Sequence, residues 1–256
     1  MTLLTDIWFQ LKRHLRTQIR MPVWIIINLV QPILWLVLFT QVFKSLARLP
    51  GLGGFSYLQF FAPGVMVMTV MFGSAWAGMG MLQDIDMGVL SKMLATPVTR
   101  VSILMSRVLA SMIVLIVQAL VIFTIAIIMG VHLETGGPGV LLTILLISLL
   151  GLGFAAFSNG LALLLRRAEP LIGIINLATM PMMFLSSTMM ATSLLPGWLN
   201  TVRRFNPVDY AVVGVRDLVL HGYIWSDLWR SLVVLFGWAV AGMAFGILMF
   251  RVRAEQ

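Results

Sequence analysis

The chain alternates long stretches that lack any charged side chain with short segments in which Lys, Arg, Asp and Glu are concentrated. The charge-free stretches are residues 21–43, 49–83, 108–133, 135–165, 170–202 and 231–250. Each reaches the length of about 20 residues that an α-helix needs to cross about 30 Å of hydrocarbon. Backbone groups in lipid must pair within the chain, and the alternation typical of barrel strands is missing. The pattern therefore predicts an all-α, polytopic membrane protein with six transmembrane helices.

The composition supports this class and excludes others. Of 256 residues, 60% are hydrophobic and 10% are charged, against about 25% charged in a soluble domain. So few charged residues cannot cover the surface of an ordinary soluble enzyme. The absence of Cys excludes disulfides, thiolate metal sites and Cys nucleophiles.

The distribution of Lys and Arg predicts the orientation. With both termini on one side, that side carries Lys12, Arg13, Arg16, Arg20, Lys92, Arg100, Arg107, Arg166, Arg167, Arg251 and Arg253, and the other carries Lys44, Arg48, Arg203, Arg204, Arg216 and Arg230. The positive-inside rule then places both termini in the cytoplasm. The net charge of +8 is explained by this topology, and the scattered basic residues give no sign of a nucleic-acid partner.

Residues 1–21, before the first span, have helical periodicity. Ile7, Trp8, Leu11, Leu15 and Ile19 fall on one face, and the basic residues fall on others. This pattern predicts an interfacial helix that lies on the membrane surface with its basic residues near anionic headgroups. Two roles stay open: a simple anchor, or a lever beside the first span.

The segment 84–100, between the second and third spans, predicts a second short helix. It opens with Asp84 and Asp86, which suit a helix N-terminus, and Pro97 stops it. Its apolar stripe consists of Val89, Leu90, Met93 and Leu94, and Thr96 directly precedes the proline. A helix this short has no core of its own, so the stripe either covers the membrane surface or docks into a groove of a partner.

The segment 191–228 is too polar for a simple span and too apolar for a free loop. Trp198 follows a Pro-Gly turn and is suited to the interface. Asn206, Pro207 and Asp209 form a good helix start with a cap, a first-position Pro and an acid. The helix they begin would end near Gly222 and is too short to cross the bilayer. We expect a re-entrant or interfacial helix on the outer side.

Catalytic chemistry is missing from the sequence. His14, His132 and His221 are far apart, and no zinc-protease, nucleophile-elbow or P-loop motif occurs. The chain therefore offers no catalytic residue, no metal ligands and no cofactor site. The spanning stretches also lack the ionisable groups typical of ion-driven carriers. If the chain transports, its energy comes from another protein; a stand-alone ion-coupled carrier or channel is the alternative, and a membrane-embedded enzyme is a weaker one.

Three stretches resemble a known family. They are Tyr57-Leu58-Gln59-Phe60-Phe61-Ala62-Pro63-Gly64, then 90–100 with Arg107-Val108-Leu109-Ala110, and then 184–216 with Leu195-Pro196-Gly197-Trp198, Phe205-Asn206-Pro207-Val208-Asp209-Tyr210-Ala211 and Arg216. Together with six predicted spans, they make the chain similar to the membrane subunit, or permease, of bacterial type-2 ABC exporters, including daunorubicin-resistance permeases. One departure is Ser187, where the family often has Gly.

The resemblance implies a single transmembrane domain over residues 1–256, with a six-span bundle over 22–250. It implies a multi-pass protein of the bacterial inner membrane that exports an amphipathic or lipid-like substrate. Two permease copies would work with two ATPase subunits that bind ATP and Mg, and segment 84–100 would be the coupling helix. The pathway would lie at the permease interface, for which the candidate residues are Asn28, Gln31, Pro32, Asn176, Met180, Phe184 and Ser187. The outer helices would contain Trp198, Asn206, Pro207, Asp209, Tyr210 and Arg216.

Overall fold

The described residues of the computed structural model are 3–20, 22–43, 54–96, 98–189 and 196–252. Within these ranges the chain is helical and has no strand. The helices are α1 (Leu3–Ile19), α2 (Pro22–Val42), α3 (Tyr57–Ala75), α4 (Ala77–Asp86), α5 (Val89–Leu94), α6 (Arg100–Ile128), α7 (Gly136–Leu165), α8 (Ala168–Phe184), α9 (Gly197–Val202), α10 (Pro207–Leu220) and α11 (Trp225–Val252). A single 3₁₀ turn, Arg203–Phe205, joins α9 to α10. The predicted all-α class is confirmed.

Among the residues that the structure describes, four helical segments are long and apolar enough to cross a membrane. They are Tyr57–Asp86, which combines α3 and α4, and the long helices α6, α7 and α11. Ile26–Val42 of α2 and Ala168–Phe184 of α8 are apolar but shorter. The expected membrane protein is therefore supported by four spans, while the full count of six stays a prediction.

Helix α7 lies at the centre of the bundle and packs most extensively against α11. A side chain on Gly246 of α11 would place its Cβ 2.9 Å from the Ala156 carbonyl oxygen of α7, and a Cβ on Gly242 would lie closer still to the Gly153 carbonyl oxygen. The two helices approach this closely because these positions have no side chains. The small residues within 242–246 and 151–156 therefore serve helix packing.

The second span is interrupted between α3 and α4. Trp76 ends α3 with its backbone N–H bonded to the Phe72 carbonyl, and α4 starts at the next residue. Ser158 of α7 bridges the break, because its hydroxyl donates to the Ala75 carbonyl and accepts from the Gly78 N–H at 3.0 Å. The interruption is thus satisfied by a side chain from a neighbouring helix, as polar groups at membrane depth require.

The bounds of the short helix α10 were predicted more accurately than those of the short helix in segment 84–97. Helix α10 begins at Pro207 after the Asn206 cap and ends at Leu220, close to the predicted range, and Gly222 follows with φ +90°. For segment 84–97, the predicted start of the helix is wrong. Asp84 and Asp86 belong to the last turn of α4, and Gly88, with φ +67°, separates α4 from α5. Pro97 and residues 191–195 lie outside the described residues.

Candidate functional site

The first candidate site is the end of the bundle formed by α1, the last turn of α4, α5 and the start of α6, here called the α5 end. The sequence predicted one helix with the two acids at its N-terminus. In the structure both acids are at the C-terminus of α4, where the helix dipole disfavours negative charge. The physical reason is the left-handed glycine at 88, which ends the first helix and restarts the chain in α5.

The apolar stripe of α5 is divided between the core and the surface. Leu90 is 2% exposed and belongs to the main core, and Val89 and Met93 are half-buried. Leu94 is 40% exposed, and Met87, which precedes the helix, is 65% exposed. The expectation that the whole stripe is free for a partner is therefore wrong for Leu90. The side chains of Leu94 and Met87 remain available at this end.

Asp84 joins three helices at the α5 end. Its carboxylate forms an ion pair with Arg107 of α6, and its second oxygen lies 3.7 Å from a guanidinium nitrogen of Arg13 in α1. The side chains of Asp84 and Arg107 are 13% and 9% exposed. Because the pair is shielded from water, its attraction is stronger than that of a surface pair. Asp84 therefore holds α1, α4 and α6 together.

Helix α1 presents its polar face to the bundle. Asp6 and Gln10 are buried against α6, and the Ser106 hydroxyl donates to Gln10 Oε1 at 3.2 Å. Only part of the apolar face predicted from the sequence points outward: Trp8 is 62% and Ile19 66% exposed, whereas Ile7, Leu11 and Leu15 are half-buried. The outward part is available for the membrane surface, as an interfacial helix requires.

His14 follows Gln10 on the same inward face of α1. Burial, together with the nearby charges of Arg107 and Arg13, lowers the pKa of His14 to about 3. Its Nε2, together with Gln18 Oε1 and Arg107 Nε, is buried without a hydrogen-bond partner among the described residues. The seam between α1 and the bundle is therefore polar and incompletely bonded.

Further contacts at the α5 end involve Thr96, Met93 and Arg13. The Thr96 hydroxyl donates to the Met93 carbonyl at 2.6 Å and so closes the last turn of α5. Arg13 donates to the sulfur of Met93 at 3.2 Å, which connects α1 directly to α5. Asp86 is exposed. The short helix is thus attached to the bundle through Leu90 on one side and α1 on the other.

The second candidate site is at the opposite end of the second span and is called the α10 end. Asn206 links α10 to the turn that follows α8. Its Oδ1 accepts from the Val208 N–H at 3.0 Å, and its Nδ2 donates to the carbonyls of Met182 at 2.6 Å and Leu185 at 3.1 Å. The predicted cap is confirmed, and it also fixes the end of α8, which the sequence did not indicate.

Asp209 and Arg216 of α10 hold the turn 185–189 from two sides. Asp209 accepts from the Ser187 N–H at 2.7 Å and pairs with Arg203 at 2.8 Å. Arg216 donates to the carbonyls of Ser187 at 2.8 Å and of Phe60 in α3 at 3.1 Å. It also lies 3.7 Å above the Phe60 ring, in cation–π contact. This set of contacts fastens α3, α8 and α10 to one another.

The other residues predicted for this end occupy more peripheral positions. Pro207 is buried as the first residue of α10, and the Tyr210 hydroxyl donates to the Arg204 carbonyl at 3.0 Å. Trp198 on α9 is 65% exposed, as expected for an interfacial aromatic residue.

The predicted pathway residues are not gathered into one cavity of this chain. On α2, Asn28 and Gln31 are exposed, and Pro32 is half-buried within the helix. On α8, Met180 is 52% and Phe184 59% exposed, and Asn176 is half-buried. Ser187 is fully buried in the α10 end, so its exposure to a pathway is not seen in this structure. A role in a pathway stays a prediction for all seven.

Several residues of these sites were missed in the sequence. Arg13 and Arg203 were noted only in the charge count and His14 only as an isolated histidine, and Arg107 was named in a motif stretch without a partner. A usable signal was present for α1, since Asp6, Gln10, His14 and Gln18 recur every four residues and mark a polar helix face. The partner of each cation was not predictable, because the pairs join residues that are distant along the chain.

Comparison with known proteins defines the class to which this fold belongs. The family model of the ABC-2 type transporter matches residues 5–220, which include most of α1, the segment 84–100 and α10. The chain therefore belongs to the ABC-2 type transporter family and is the membrane subunit of an ABC transporter.

Individual relatives are permeases from several sources. The chain is 32% identical over 221 residues to the ycf38 transport permease of Cyanophora paradoxa, covering 86% of this chain and 73% of the relative. It is 24% identical to the daunorubicin resistance ABC transporter permease DrrB1 of Streptomyces coeruleorubidus, covering 86% and 75%. It is 26% identical to the doxorubicin resistance ABC transporter permease DrrC of Mycobacterium tuberculosis, covering 80% and 73%.

The family assignment confirms part of the expected function. The chain is a multi-pass permease that acts with an ATPase partner, and permeases of this family are normally not catalytic themselves. No group of three His, Cys, Asp or Glu side chains suited to a metal ion occurs among the described residues.

Proposed function

We propose that this permease exports an amphipathic or lipid-like compound from the cytoplasm, using ATP hydrolysed by two copies of a separate ATPase. The names of two relatives include resistance to daunorubicin or doxorubicin, which are amphipathic compounds. The second support is the absence of acidic or basic residues from the long stretches 108–133, 135–165 and 231–250. An ion-coupled mechanism normally needs such groups within the membrane.

The observation that carries the proposal is the construction of the α5 end. Leu94 in α5 and Met87 just before it expose apolar surface, whereas Leu90 of the same helix is buried in the core. An ATPase groove that binds Leu94 and Met87 would therefore move α5 as a unit. Leu90 transmits the motion to the bundle, and the continuous chain transmits it to α4 and α6.

The proposed assembly has six spans, both termini in the cytoplasm and two permease copies in the bacterial inner membrane. The exposed stripe of α8, which includes Leu177, Met180 and Phe184, is apolar and is suited to contact a second copy at the pathway. A reporter that is active only in the cytoplasm should function when fused after Arg253 or near Arg167, and fail near Gly136. The reverse pattern would contradict this topology.

Transport by the reconstituted complex tests the proposal. The permease is placed in inside-out vesicles with the ATPase encoded in the neighbouring reading frame, and doxorubicin movement is followed by fluorescence. We expect accumulation inside the vesicles only when permease, ATPase and ATP are all present. Non-hydrolysable ATP is the control for binding without turnover.

The alternative function gives a different result in the same experiment. A stand-alone carrier or channel moves its substrate without the ATPase, driven by an imposed proton or sodium gradient. Gradient-driven transport by the permease alone would therefore contradict the proposed function. Lack of doxorubicin transport together with ATP-dependent flipping of a fluorescent lipid would retain the ATP-driven mechanism and correct the substrate.

A further inference from the structure

A cavity of about 130 Å³ lies on the surface of α7, between α8 and α11. Its main lining residues are Phe154, Phe157 and Leu161 of α7, Ile174 and Ala178 of α8, and Trp238 of α11. All six are apolar or aromatic, and the one polar side-chain atom among them is Trp238 Nε1, which is buried without a hydrogen-bond partner among the described residues. The cavity belongs neither to the α5 end nor to the α10 end.

The hydroxyl groups in the lining are already used within the chain. Ser158 is bonded to the backbone on both sides of the break between α3 and α4. Thr179 donates to the Ile175 carbonyl at 2.7 Å. A buried water needs two to four polar partners, and an apolar cavity of about 150 Å³ stays dry and binds benzene. The cavity is therefore suited to an apolar occupant.

The position of the cavity indicates where such an occupant comes from. Trp238 is midway along α11, and the helices around the cavity consist largely of the charge-free stretches that begin at 135, 170 and 231. The surrounding solvent is therefore bilayer hydrocarbon. Ile174 is 37% exposed, and Phe157 and Trp238 are half-buried, so the cavity reaches the perimeter of the bundle.

The cavity is on a different side of α8 from the predicted pathway. At about 100° per residue, Ile174, Ala178 and Met182 share one face of α8, and this face lines the cavity. The exposed residues Leu177 and Phe184 are on the other side. A second permease copy that covers the exposed stripe therefore leaves the cavity open to lipid.

We propose that this cavity binds a segment of one acyl chain of a bilayer phospholipid. The acyl chain would contact Ala75, at the end of α3, and Ser158 of α7, which bridges the break between α3 and α4. The bound hydrocarbon would fill the space beside this joint and support the two halves of the second span. The inference depends on the membrane location of the chain and is independent of the exported substrate.

A photoreactive lipid tests the proposal. The purified full chain is placed in vesicles of phosphatidylethanolamine and phosphatidylglycerol that contain phosphatidylglycerol with a diazirine at the middle of one acyl chain. After irradiation, labelled residues are mapped by mass spectrometry. Phe154 and Leu161 are only 4% and 7% exposed, so they report a chain inside the cavity. Leu177, which is 76% exposed, reports ordinary lipid contact.

We expect label on Phe154 and Leu161 in the wild type and loss of that label in Ala178→Phe, which fills the cavity. Label on residue 177 should be retained in Ala178→Phe. The matched control Leu177→Phe adds the same ring on the outward side and should leave the label on Phe154 and Leu161. Ala178→Leu provides a smaller filling if the Phe variant does not insert.

Three results would overturn the proposal. One is label confined to outward residues in the wild type. Another is equal labelling of Phe154 and Leu161 in the wild type and in whichever Ala178 variant inserts. The third is loss of the label on Phe154 and Leu161 in Leu177→Phe, which would show that this label does not depend on the cavity.

Discussion

The two ends of the bundle each contain a buried arginine, and both arginines are 7% exposed. Arg216 at the α10 end uses all three guanidinium nitrogens on atoms of the chain. Arg107 at the α5 end pairs with Asp84, while its Nε has no partner among the described residues. The guanidinium of Arg216 is therefore fully bonded within the chain, whereas the seam around Arg107 keeps three buried atoms without partners among the described residues, His14 Nε2, Gln18 Oε1 and Arg107 Nε. This difference is expected if the α10 end keeps one arrangement and the α5 end is the one that a partner protein binds.

The largest effect is expected where the α5 end is part of the core. Leu90→Asp buries a charge without a partner at a position that is 2% exposed, which costs several kcal/mol or more. We expect the permease to be lost from the membrane, as measured by the yield of inserted protein. Leu94→Asp, at a position that is 40% exposed, is the matched variant and should insert normally. Equal yields would show that Leu90 is not a core residue.

The second effect concerns the ion pair of Asp84. Asp84→Asn leaves the buried Arg107 without its carboxylate, and breaking such a pair costs about 3–5 kcal/mol. We expect a lower thermal unfolding midpoint in detergent and earlier release of α1, detected by proteolysis near the N-terminus. Asp227→Asn, in an exposed pair with Arg230, is the control and should change the midpoint little. An unchanged thermal unfolding midpoint in Asp84→Asn would show that Asp84 does not hold the three helices together.

The third effect tests the closed α10 end. Arg216→Met removes the donor for the carbonyls of Phe60 and Ser187, and each buried orphaned group costs about 1–3 kcal/mol. Since the chain has no Cys, Ser187→Cys provides a single reporter of opening. We expect faster reaction of this Cys with a water-soluble maleimide in the Arg216→Met background than in the Arg216 background. The same reaction rate in both would contradict a clamp by Arg216.

The smallest effect is the pH dependence of the α5 end. Burial lowers the pKa of His14 to about 3, against about 6.5 in an unfolded chain. The unfolded state therefore binds more protons below pH 6.5, and the stability from neutral His14 is lost as the pH falls from 6.5 toward 3. At pH 5.5 we expect a loss of roughly 1 kcal/mol relative to pH 7.5. His14→Gln should flatten this part of the stability profile, and an unchanged profile would contradict the assignment.

The sequence predicted the elements better than it predicted their partners. Charge-free stretches indicated the long helices, and Asn206-Pro207 indicated the start of α10, because these signals are local. The start of α5 was predicted wrongly, since two acids suggested an N-terminus while the break before the helix was decided by Gly88. The burial of Leu90 and the bonds of Arg216 depend on residues that are distant in sequence, so no local pattern contained them.

The central claim is that exposed apolar residues at the α5 end bind the ATPase. Co-purification of the ATPase with Leu94→Asp tests it most directly, with Phe205→Asp as the control because Phe205 is 85% exposed at the α10 end. Both variants should insert like the wild type. We predict that Leu94→Asp loses the ATPase and ATP-dependent transport, whereas Phe205→Asp retains the ATPase. Retained ATPase and retained transport in Leu94→Asp would contradict the account.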